Sequence, residues 1–162
     1  MNRAMRVAAA ILLLAQVLTP RSAQAVGGAS CMLSATPLAF GRYVPFSGVP
    51  TDFSATLTVT CTAPGAAAVP VRGTIALAGG TGGPFARRLT SGRYGLRYQL
   101  FSDPGRTVPW GDSTAGTVSV TGVVGPRTVF RQTLTVYGRI LARQSGARVG
   151  LYTDQVMAQL NY

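Results

Sequence analysis

From Phe53 to Cys61 the chain alternates without a break. Phe53, Ala55, Leu57, Val59 and Cys61 fall on one parity, and Ser54, Thr56, Thr58 and Thr60 on the other. A period of two is the signature of a half-buried strand, so the first set belongs to a core and the second to solvent. The same period returns at the end of the chain. There Val156, Ala158, Leu160 and Tyr162 oppose Gln155, Gln159 and Asn161, with Met157 alone interrupting the polar set. After residue 25 no stretch carries a helical period. Short alternating runs are instead parted by clusters of Gly, Pro and Ser. That pattern specifies an all-β antiparallel sandwich.

The remaining strands follow from the same reading. Residues 32–40 form a first strand interrupted by Pro37, which places it at an edge or at a switch between sheets. Residues 69–78 form another, with Val69, Val71, Ile75 and Leu77 as core and a bulge at Gly73. The glycine-rich run 79–84 reads as a flexible hairpin connection. It lacks the Gly-Lys-Ser/Thr ending of a phosphate cradle, and no helical pattern follows it. Leu96-Arg97-Tyr98-Gln99-Leu100 follows the turn at Ser91-Gly92-Arg93, and Asp103-Pro104-Gly105 is a strong turn. Residues 118–120 and 130–140 continue the sheet, with Leu134, Val136, Gly138 and Ile140 on one face. Residues 142–149 are a loop leading to the last strand.

The first 25 residues read as a secretory leader. Arg3 and Arg6 open it, an apolar run covers 7–18, and Ala23-Gln24-Ala25 is a small-x-small cleavage site. The run is too short to span a bilayer and ends at Pro20 and Arg21. Residues 26–162, roughly 135 of them, suit one exported domain. Cys31 and Cys61, the only cysteines, then meet an oxidising compartment. An intramolecular disulfide tying the first strand to the second is expected, the alternative being two free buried thiols.

The charge is carried entirely by arginine. There are fifteen Arg, no Lys, no His and no Glu, and the acids are Asp52, Asp103, Asp112 and Asp154. Without Arg3, Arg6 and Arg21 the balance is twelve Arg to four Asp, a formal +8. Such a surface could meet a polyanion, yet the arginines are scattered rather than clustered, so no specific nucleic-acid site is expected. The lack of His excludes Ser–His catalysis and His-ligated metals, and no two Asp fall at a catalytic spacing. Two cysteines in a bridge cannot hold zinc. No enzymatic activity and no cofactor are expected. Trp110 beside Asp112 could form a sugar platform, or Trp110 could pack at one end of the sandwich while Asp112 caps a turn.

Several motifs occur in a fixed order. Cys31 precedes Phe40-Gly41-x-Tyr43. Leu57-Thr58-Val59-Thr60-Cys61-Thr62 follows, then Leu96-x-Tyr98-x-Leu100 and Trp110-Gly111-Asp112. Last come Thr135-Val136-Tyr137-Gly138-Arg139-Ile140, Gln144, and Gly150-x-Tyr152-x-Asp154-x-Val156 with a closing aromatic. Across about residues 31–162 this resembles the spore coat protein U domain family, which includes pilin subunits of archaic chaperone–usher pili. The resemblance implies an immunoglobulin-like sandwich that lacks its final strand. A hydrophobic groove beside the last strand would then be filled by a periplasmic pilus chaperone and later by a strand of a neighbouring pilin subunit, at an outer-membrane usher. Val156, Ala158, Leu160 and Tyr162 would line one wall, with Leu134, Val136 and Ile140 nearby and residues 32–40 as the other wall. The chaperone would anchor the carboxylate at Tyr162, and Asp154 would be structural. The product would be a fimbria at the cell surface, serving adhesion or biofilm formation. Shaft pilins carry a donor strand before the first cysteine, whereas only Val26-Gly27-Gly28-Ala29-Ser30 stand there in this chain. That points to a tip or capping subunit. The rival readings are a secreted spore or cell-surface coat protein with a self-complete sandwich, and a polyanion-binding module.

Overall fold

The structure, a computed structural model, describes residues 7–14, 30–62, 71–114, 120–124 and 129–161. Every regular element among them is a strand. In chain order they are β1 (Val7–Leu14), β2 (Ser30–Ala35), β3 (Leu38–Arg42), β4 (Thr51–Thr62), β5 (Val71–Ala78), β6 (Arg88–Ser91), β7 (Tyr94–Phe101), β8 (Val120–Val124), β9 (Val129–Ile140) and β10 (Gly150–Asn161).

The longest ladder pairs β4 with β9, antiparallel from Thr51↔Ile140 to Thr62↔Val129. β2 lies on the free side of β4, and the C-terminal half of β7 lies beside β9. A second layer contains β6, β10, β1 and β3, with β5 beside β10 and β8 beside β5. The layers are joined through strands that change partner. β7 pairs with β6 through Tyr94–Arg97 and with β9 through Tyr98–Phe101. At the opposite rim β2 and β3 belong to different layers, and the chain crosses between them at Thr36-Pro37. Proline has no N–H to give a ladder, so the crossing falls where pairing must lapse anyway. Thr36 holds the crossing to β4: its N–H donates to Thr56 O and its Oγ1 accepts from Thr56 N–H, both at 2.9 Å. The result is a curled antiparallel sheet consistent with the expected immunoglobulin-like sandwich.

Between the layers Leu38, Leu57, Leu77, Leu89, Leu96, Leu100, Val136, Ile140 and Tyr152 are wholly buried. Burying each aliphatic side chain is worth about 1.5–3 kcal/mol against leaving it in water. β4 buries Ala55, Leu57, Val59 and Cys61 as expected, but Thr58, on the parity expected to face solvent, is buried too, and Phe53 is half exposed. Phe53 sits two pairs in from the Thr51↔Ile140 end, where β4 runs out towards the loop before it. The expected bulge at Gly73 is absent, since Gly73 pairs with Gly122 in unbroken register. Gly73 shares the parity of the buried Ile75 and Leu77, so the inward phase runs through it with no side chain to mark it. Val69, 118–119 and Tyr162 lie outside the described residues.

The glycine-rich run does not close a hairpin. β5 and β6 do not pair with each other; both lie antiparallel to β10, at Met157↔Ala78 through Asn161↔Thr74 and at Thr153↔Thr90. The run carries the chain past the middle of β10 from one to the other. Gly82 has φ +91°, and a Cβ there would strike Ala86 O at 2.1 Å, so the loop needs glycine.

Candidate functional site

β10 is the strand on which the sequence motifs converge. Tyr152, Asp154, Val156 and Ala158 are buried, Leu160 is half-buried, and Leu151, Thr153, Gln155 and Met157 face out. One flank of β10 is taken by β5 and β6. The other is taken by β1, which runs parallel to it from Val7↔Gly150 to Leu14↔Met157. β1 also pairs antiparallel with β3, from Ala8↔Arg42 to Ile11↔Leu38, with a register shift at Ala9/Ala10. Gly41, at φ +69°, lies in the β3 segment opposite that shift.

The strand position between β3 and β10 is therefore one strand wide, and an extended apolar segment occupies it. With that segment in place the last strand is not an edge; the open groove was expected of the chain from residue 26 onward. The occupant is the central part of the segment read as a leader. Alternate positions 7, 9, 11 and 13 register with Gly150, Tyr152, Asp154 and Val156 of β10. Along Ala158–Asn161, among the described residues, β5 is the only paired neighbour.

Val136 and Ile140 are buried, and Leu134 is partly buried against the same core cluster as Val156 and Ala158. They sit on β9, which pairs with β4 and β7 rather than with β10. They belong to the layer facing the candidate position, not to its rim.

Beneath the site lies a buried polar cluster that fixes the middle of β10. Asp154 accepts three hydrogen bonds, from Thr81 N–H at 2.9 Å, Thr81 Oγ1 at 3.1 Å and Tyr98 Oη at 2.7 Å. Both carboxylate oxygens are engaged, so the group anchors rather than abstracts protons. Burial, and then donation to Asp154, pushes the Tyr98 hydroxyl well above the ordinary tyrosine range. Arg87 is fully buried behind this cluster. Its Nη1 donates to Pro84 O, Gln99 Oε1 and Trp110 O, and its Nη2 donates to Leu77 O at 2.7 Å. Burial lowers its pKa, the charges of Asp154 and Asp112 oppose that shift, and Nε is left without a partner. Sequence reasoning passed over Arg87. Nothing local separates it from the exposed Arg88, and only the acceptors converging from four segments do so.

Cys31 and Cys61 form a disulfide and face each other in the β2–β4 ladder, with Cα atoms 4.0 Å apart. Trp110 is buried and donates its Nε1–H to Ile75 O at 3.0 Å, while Asp112 accepts from Thr114 N–H and Oγ1. Of the two readings of that pair, the packed tryptophan and turn cap hold, and no sugar platform is exposed.

No curated protein matches the chain. The family model described as Spore Coat Protein U domain matches residues 18–159. The matched span contains β2 through β9 and β10 as far as Gln159, and it leaves β1 out. With the order of its strands, its disulfide and a match over most of its length, the chain belongs to the Spore Coat Protein U domain family.

Proposed function

We propose that this surface subunit of pilus or coat type is a pilin of a chaperone–usher fibre, whose fold is completed by a strand taken from a partner. The observation that carries the reading is the origin of β1. The family unit begins at residue 18, yet the strand between β3 and β10 comes from residues 7–14. Export with cleavage after Ala25 would remove that strand. It would leave backbone donors and acceptors on both walls and an apolar floor containing Val156 and Ala158. A strand from a periplasmic chaperone, and then one from a neighbouring subunit at the usher, would restore the ladder. Main-chain bonds would give affinity and alternating pockets the register. Val156, Ala158, Leu160 and Tyr162 are the residues proposed for the wall on β10. Leu134, Val136 and Ile140 would support the floor from β9. The short segment 26–30, poor in apolar residues, supports a tip or capping position, because it offers little to a neighbour's groove.

A second reading has its own observation. A chain that keeps residues 7–14 completes its own sheet, as a secreted coat protein would. The two readings separate in a thermal melt of residues 26–162, alone and with a synthetic peptide of residues 7–14 or a cognate chaperone. An incomplete pilin is poorly soluble alone and gains a large rise in melting temperature with the added strand. A stable monomer indifferent to both would overturn the pilin reading, and an intact mass of the exported protein that retains residues 7–14 would move the assignment to the coat protein.

A further inference from the structure

We propose that the end of the sandwich formed by the β3–β4 and β9–β10 loops docks onto an anionic lipid bilayer. Three apolar side chains stand out there. Phe46 is 77% exposed, Val49 70% and Val44 48%, the first being the most exposed large hydrophobic residue described. Burying such groups in an acyl layer is favourable by area, and nothing among the described residues covers them.

The loop presents them rigidly. Pro45 is buried, Ser47 N–H donates to Val44 O at 3.1 Å, and Ser47 Oγ accepts from Val49 N–H at 3.0 Å. The neighbouring loop is fastened to it: Arg143 N–H donates to Ser47 O at 3.0 Å, and Tyr43 Oη donates to Leu141 O while accepting from Gln144 N–H. Arg143 itself has φ +57°, a left-handed conformation that a residue with a side chain seldom adopts. Its guanidinium lies beside Gly48, 3.4 Å from where a Cβ would stand. Preorganised apolar groups lose little freedom on docking.

Charge selects the occupant. Arg42 ends β3 where this loop begins, Arg143 and Arg148 lie in the β9–β10 loop, and all three are exposed and have no carboxylate partner among the described residues. All four aspartates are engaged elsewhere: Asp52 with Arg139 and Arg106, Asp103 with Thr107 and Val108, Asp112 with Thr114, and Asp154 in the buried cluster. A second copy of the same end would bring like charges together. A hydrophilic polyanion would satisfy the arginines but leave Phe46 in water. Anionic headgroups above an acyl layer satisfy both, in the manner of other peripheral membrane surfaces.

The test is flotation of the full chain with phosphatidylcholine vesicles, with and without half phosphatidylglycerol, with a circular-dichroism melt of each variant as the control for folding. Binding is expected with the anionic vesicles only. Phe46→Ser should weaken it about tenfold or more. The pair Arg143→Asn and Arg148→Gln should weaken it about thirtyfold, with wild-type binding falling as salt rises. Asn tolerates the left-handed backbone at 143, so that variant keeps the loop. No flotation, or equal flotation with neutral vesicles, overturns the proposal. So does binding that the arginine pair abolishes and Phe46→Ser leaves intact, which would mark a hydrophilic polyanion as the ligand.

Discussion

A single buried guanidinium gathers four segments of this sandwich, and its removal is more costly than its own charge would indicate. Replacing Arg87 with Met removes the guanidinium donors to Leu77 O, Trp110 O and Pro84 O and leaves Gln99 Oε1 with Leu100 N–H. A loss of about 3–5 kcal/mol in urea unfolding is expected, whereas Arg88→Met, on the exposed neighbour, should stay within about 0.5 kcal/mol. Comparable losses at both positions would remove the distinction. Titration gives a second prediction. Hydrogen bonding from Arg139, aided by the charge of Arg106, holds the Asp52 carboxyl below its ordinary value of 3.8. Hydrogen bonds from Val108 and Thr107 do the same for Asp103, as do those from Thr114 for Asp112. Depressed carboxylate values mean that this stability is whole above about pH 4 and is lost as the pH falls further. The raised value of Tyr98 works in the other direction, so its contribution is whole below the ordinary value of 10.0 and lost above it. With no His in the chain, the melting temperature should be level from pH 5 to 9 and fall on both sides. A transition centred near pH 6.5 would contradict this. The Asp52 pair is partly solvated, so Asp52→Asn should cost under about 1 kcal/mol.

At the scale of strands, what could be read in advance was what periodicity writes. The buried faces of β4 from Ala55 to Cys61 and of β9 follow the period of two, though Thr58 on the other face of β4 is buried as well, and Pro37 marks the switch between layers. Three features were not legible. Gly73 looked like a bulge because a missing side chain and a shifted phase leave the same gap in a pattern. The glycine-rich run looked like a hairpin because a sequence records where a chain turns, not which strand it turns towards. β1 was hidden because apolar residues 7–14 satisfy a leader and a buried strand equally well. Gly138 was read only as a member of a face, yet it sets how closely β3 approaches β9. A Cβ there would meet Leu38 Cδ2 at 2.5 Å and Phe40 Cζ at 2.8 Å, both in the core. Gly138→Ala should cost about 1–3 kcal/mol through overpacking, and a trimmed partner, Leu38→Ala, should recover part of it in a double-mutant cycle. Purely additive losses would place the strain elsewhere.

For the molecule as a whole, fold class was legible and closure was not. Alternation predicts an antiparallel sandwich, but it carries no information about which segment fills the place between β3 and β10. Nor does sequence spacing reveal that the loop carrying Arg143 is fastened to the loop that exposes Phe46 and Val49. The disulfide, expected from two cysteines in an exported chain, joins the first strand after residue 29 to the far end of the longest ladder. Removing it by Cys31→Ala with Cys61→Ala should cost about 3–4 kcal/mol in the chain-entropy account, measured by urea unfolding.

The same bond decides how the domain would respond to tension. A pull applied at residue 30 passes through sulfur to Cys61, and the 30-residue span between the two cysteines is shielded from stretching. Held between residues 30 and 161 in a force spectrometer, the oxidised chain should pay out about 100 Å less contour on rupture than the reduced one. A fibre built of such units would yield in shorter steps, and β2, β3 and β4 as far as Cys61 would stay tethered after the rest had been drawn straight.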